Sequence, residues 1–146
     1  MLPYPDSNNG PSPAQLREML QVAHEVRARL IDSNRKLRQR DVYALCFHLA
    51  QELRAQFPDI RIMVGDRAVE HGFAQHLWLE IPSGAVFVDP AFDAIDPFQL
   101  VRVGRTTESD FAALYHAGQD GNFDLDDPRN RPEELFRTRT AWDGEV

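Results

Sequence analysis

The chain has 146 residues, 42% hydrophobic and 27% charged, with a net charge of -7, a balance that suggests one globular domain able to bury a core without staples. The acidic surface, with no Lys/Arg-rich run, argues against a nucleic-acid partner. A single cysteine excludes an internal disulfide, and the lack of a leader pattern or a span-length apolar run reads as a cytoplasmic protein with no membrane partner, non-classical secretion aside.

Residues 1–12 are rich in Pro, Ser, Asn and Gly and read as a flexible arm. Ser12-Pro13-Ala14-Gln15 then carries a cap, a first-turn proline and a capping-box glutamine, and Leu16, Met19, Leu20, Ala23, Val26 and Leu30 follow at helical spacing. That predicts an amphipathic helix over 13–31. Val42, Leu45, Leu49, Leu53 and Phe57 trace a second helix, opening at Asp41 or at Asn34; only the Asp41 start places Cys46 near the helix N-terminus. Residues 60–65, 73–81 and 85–89 read as strands, with 66–72 as a connection and Pro82-Ser83-Gly84 as a hairpin turn. Asp96-Pro97 suggests a short helix, and 108–117 another, capped by Gly118. Residues 119–146 form an acidic tail that Leu135, Phe136 and Trp142 would dock. Helices first and strands afterwards predict an α+β domain over 13–118, its N-terminal helices packed on a small antiparallel sheet.

Cysteine chemistry needs a thiolate, a base and a group that orients the base. A helix N-terminus and an imidazolium both favour the thiolate, and free backbone N–H groups there bind an oxyanion. Cys46 on a helix, His76 on a strand and Asp89 on its hairpin partner satisfy that topology. The hairpin can bring His76 and Asp89 side by side on one face, as cross-strand neighbours.

Cys46-Phe47-His48-Leu49-Ala50, then His76-Leu77-Trp78-Leu79-Glu80, then Val88-Asp89-Pro90 resemble the transglutaminase-like branch of the papain-like cysteine superfamily. Members of that branch have a Cys opening a core helix, a strand carrying His-x-Trp-x-Glu and a strand ending in Asp-Pro. The resemblance covers roughly residues 40–92. It implies Cys46 as nucleophile, His76 as base and Asp89 as its orienter, in acyl transfer on a protein or peptide amide through an acyl-thioester. The acyl group would go to water, as in a protease or deamidase, or to an amine, as in a transglutaminase. No metal or organic cofactor is implied.

Each residue also has a plainer reading. A lone helical cysteine is usually a small core hydrophobe, and Asp89 before Pro90 can simply end a strand. Trp78 reads as packing near the site or as a substrate contact, and His71 as a substrate contact from a loop. Glu80 is a salt-bridge partner for His76 or a rival to Asp89, whereas His48 faces away from Cys46. Gln39 or Gln75 offers an oxyanion donor, with nothing fixing either. A zinc site from Cys46, His71 and His76 lacks the paired-ligand spacing that such sites use. A second function fits the same residues: an inactive transglutaminase-like module that binds a protein partner. Ala44, standing where the family usually has glycine, favours it.

Overall fold

The computed structural model describes residues 10–31, 37–69, 72–94, 99–120, 123–135 and 137. Helix α1 (Pro13–Leu30) begins as the sequence predicts. Ser12 Oγ accepts from the Gln15 backbone at 3.2 Å, and Gln15 Oε1 accepts from the Ser12 backbone at 2.8 Å. Its apolar stripe buries Met19, Ala23 and Val26. The end of the expected arm is held down: Pro11 O accepts from Arg105 Nη2, and Gly84 O accepts from Arg105 Nη1 at 2.9 Å. Gly10, at φ 73°, lies so close that a Cβ there would overlap Gly84 Cα.

Helix α2 (Gln39–Leu53) opens at neither expected position. Arg38 is the N-cap, and Asp41, three residues on, accepts the Arg38 backbone N–H at 2.8 Å. Asp41 is thus a first-turn acid rather than a cap, and Asn34 lies outside the described residues. Cys46 consequently sits two turns inside the helix, where its neighbours' N–H groups are already bonded within the helix.

The sheet is five-stranded and antiparallel, in the order β4-β3-β2-β1-β5. Its strands are β1 (Arg61–Val69), β2 (Gly72–Ile81), β3 (Val86–Asp89), β4 (Arg102–Arg105) and β5 (Tyr115–Asp120). The fold is α+β, as expected. Strand β1 runs through most of the stretch read as a connection. Between β2 and β3, Pro82–Gly84 makes a 3-10 turn, closed by Ala85 at φ 52°. The helix expected over 108–117 shrinks to α3 (Phe111–Leu114), and Gly118 lies within β5. The lengthened β1 offers an edge whose backbone groups need partners, and that pairing overrides the local helical pattern.

Helices α1 and α2 cover one sheet face, burying Ile62, Leu77, Leu79, Ile81, Val86 and Val88. The opposite face holds Met63, Trp78 and Phe87 under Tyr115, with Phe111 and Leu114 packed beside them. Part of the expected tail joins the first core: Leu135 of α4 (Pro132–Leu135) is buried there, and Tyr43 donates from its hydroxyl to Asn130 O. Phe136, Trp142 and the Asp96-Pro97 helix lie outside the described residues. No described helix is long and apolar enough to cross a membrane.

Candidate functional site

Strand parity assembles the polar cluster. Met63 pairs with Trp78 and Gly65 with His76, so Met63, Gly65 and Arg67 share a face with His76 and Trp78. Glu80 pairs with Phe87, which puts Phe87 and Asp89 on that same face. Gly65 has no side chain opposite His76. The Arg67 side chain uses the opening to reach across β2 to the end of β3.

Asp89 is fully buried and accepts on every side. His76 Nε2 lies 3.0 Å from both carboxylate oxygens. Arg67 Nη1 donates to Oδ2 at 2.8 Å, the Tyr115 hydroxyl donates to the same oxygen at 2.6 Å, and the Ala91 backbone N–H donates to Oδ1 at 2.9 Å. Arg67 Nη1 also donates to Ala91 O at 3.0 Å and approaches His76 Nε2 at 2.9 Å. A terminal guanidinium nitrogen carries two protons, and the two oxygens take both. The approach to Nε2 therefore has no proton to share. Nε2 keeps its own proton and gives it to Asp89, which leaves Nδ1 as a bare acceptor, buried and without a hydrogen-bond partner among the described residues.

The electrostatics follow from burial and from the partners. Burial alone would raise the Asp89 pKa, but His76, Arg67 and the Tyr115 hydroxyl outweigh it and hold the carboxyl well below the usual range. Burial pushes His76 down; Asp89 opposes that and Arg67 adds to it, so the ring is neutral. Burial and the neighbouring Asp89 push Tyr115 up, which keeps its proton available for the carboxylate.

The structure therefore brings His76 and Asp89 into direct contact, in the tautomer that a general base needs. It does not bring Cys46 to them. Cys46 is 0% exposed and packs in the helix-side core with Leu77 and Leu79, which alternate with His76 and Trp78 and point to the other face. No hydrogen bond joins its sulfur to His76 among the described residues. Burial, then the charge of Asp89, pushes its thiol pKa well up, opposite to what a nucleophile requires.

Trp78 is 1% exposed, and its indole N–H donates to Glu80 at 2.9 Å. It therefore packs against Tyr115 instead of lining an open cleft, and Glu80 serves the tryptophan, not the histidine. His71 lies outside the described residues. Of the two glutamines, Gln39 is placed: its Nε2 donates to Gln75 O at 2.7 Å, while its Oε1 is buried without a partner among the described residues. No group of His, Cys, Asp and Glu among the described residues is arranged to hold a metal ion. Arg67 and Tyr115 escaped the sequence reading because one lay in an expected connection and the other in an expected helix. The alternation Met63, Gly65, Arg67 continuing the strand was the available signal for Arg67. Comparison of the chain with family models, with curated proteins and with solved structures finds no match.

Proposed function

We propose that this chain is a non-catalytic module of transglutaminase-like architecture that binds a protein partner, with its His76–Asp89 pair serving the core. The observation that carries this reading is the place of Cys46: two turns inside α2, fully buried, on the helix side of the sheet. A thiol there has neither free backbone donors nor an imidazole to take its proton. The net charge of -7 suits a partner with a basic face. Phe73, 53% exposed and with its ring centroid 4.3 Å from that of His116, offers an aromatic contact.

A second reading is acyl transfer through Cys46, His76 and Asp89. The hydrogen-bonded pair with its bare Nδ1 favours it. Affinity capture with the native chain and with Cys46→Ala separates the two. The binding reading expects the same partner retained to the same extent by both, released by salt, with no adduct on the chain. A thioester-linked species on Cys46, or turnover of a captured partner that Cys46→Ala abolishes, would establish the second reading instead.

A further inference from the structure

Between the middle of α1 and the C-terminal end of α2 runs a groove of about 190 Å³. Met19 and Leu53, both buried, close its floor, and the half-buried Val22 gives it an apolar surface. Two exposed carboxylates, Glu18 and Glu25, line it, and no Lys, Arg or His does among the described residues. Glu25 accepts from Gln21 Nε2 at 3.3 Å, but neither carboxylate has an ion pair among the described residues. Glu52, one residue before Leu53, is by contrast taken by Arg29. The cleft between α2 and α4 is balanced differently, with Arg40 and Arg137 set against Asp41 and Glu133.

A second feature has the same sign. The last turn of α2 carries no basic residue, and Arg54 just beyond it is paired with Asp126 at 2.8 Å. The negative end of the α2 dipole therefore adds to the two carboxylates. Their spacing selects the shape of what can answer them. Glu18 and Glu25 stand two helical turns apart, ~10 Å along the axis, with Gln21 and Val22 between them on the same side. An extended segment covers ~10 Å in three residues, which puts its two cations on opposite faces. A helix presents residues i, i+3 or i+4, and i+7 on one face.

We infer that the groove between α1 and α2 is where the partner docks, and that what docks there is an amphipathic helix with Lys or Arg at i and i+7 and an apolar side chain at i+3 or i+4. The inference rests on the binding reading above and gives it a site. The basic side chains lay their methylene stems along the groove and set their charges against Glu18 and Glu25, while the apolar side chain between them meets Val22.

The test is titration of the nitrogen-15-labelled chain, at low salt, with an acetylated alanine-based peptide amide of about 18 residues, long enough to be helical. The peptide carries Lys at i and i+7 and Leu at i+3 and i+4. Amide signals of residues 18–25 and 53–56 should move together. Glu18→Gln/Glu25→Gln should weaken binding about fivefold or more, the loss of two exposed ion pairs. Asp66→Asn/Glu133→Gln removes as much charge from other surfaces and should leave the affinity within about twofold. Moving the second Lys from i+7 to i+9, the opposite face of the peptide helix, should weaken binding as the first double variant does. Movement centred on other residues, equal loss in both double variants, indifference to the position of the second Lys, or no binding at millimolar peptide overturns the inference. Those results leave the non-catalytic reading standing, which only chemistry at Cys46 overturns.

Discussion

Arg67 is the residue on which the buried cluster turns. Its side chain is 1% exposed and its ion pair with Asp89 lies wholly inside the protein. Buried pairs of this kind contribute little net stability as pairs, but removing one partner leaves an uncompensated charge. Arg67→Met is therefore expected to lower unfolding stability by about 3–5 kcal/mol in urea titrations. Asp89→Asn should lose a similar amount by stranding the guanidinium, and the double variant should lose less than the sum of the two. Additive losses would show that the two residues act separately. Removing Arg67 also deletes one of the influences that lower the His76 pKa, so the ring should titrate at higher pH by NMR in whatever folded fraction survives. The sequence carried the histidine and aspartate plainly, because the His-x-Trp-x-Glu alternation and the strand-ending Asp-Pro are local patterns. Arg67 was hidden because a glycine and an aspartate before it looked like a turn, whereas Gly65 is the gap that lets Arg67 cross.

Among the elements, α1 holds the segment that follows β3. Arg27 Nη1 shares its two protons among Pro90 O at 2.9 Å, Asp93 Oδ1 at 2.9 Å and Leu100 O at 3.1 Å, and Nη2 donates to Asp93 Oδ2 at 2.8 Å. This fork fixes the chain leaving Asp89 and ties β4 to the helix layer. Arg27→Lys keeps the charge but cannot span these acceptors. Leaving a buried carbonyl unpaired costs about 1–3 kcal/mol, and the lysine variant should lose an amount in that range by chemical denaturation. A loss below ~0.5 kcal/mol would mean that the segment is held otherwise. Helix α1 was readable to within a residue because Ser12, Pro13 and Gln15 form a complete start signal. The start of α2 was not, because its capping acid sits three residues inside the helix and an arginine occupies the cap. Strand β5 was unreadable for a different reason: it exists by pairing with β1, a long-range contact that Tyr115–Asp120 does not encode by itself.

For the whole molecule, two cores on opposite sheet faces make stability depend on pH from both sides. His76 has a lowered pKa in the fold, so below ~6.5 the unfolded chain takes up a proton that the native chain refuses. Stability is thus full above ~6.5 and falls as pH drops through that window. Asp89, also lowered, adds a second loss below ~3.9. Cys46 is raised, so the native chain keeps a proton that the unfolded chain releases above ~8.5, and stability declines again as pH rises past that value. Thermal melts across pH should give a plateau between ~6.5 and ~8.5. In His76→Phe the loss between ~6.5 and ~4 should flatten, and a wild-type slope in that variant would assign the acid sensitivity elsewhere. The same division into two faces separates Cys46 from His76, and the non-catalytic reading depends on that separation. Its most direct measurement is alkylation of the native chain with iodoacetamide at pH ~6, followed by mass spectrometry, with a denatured sample alongside. The account predicts no modification of Cys46 in the folded protein and complete modification once the unfolded chain is brought to pH ~8.5; rapid modification of the folded protein at pH ~6, abolished by His76→Ala, would contradict it.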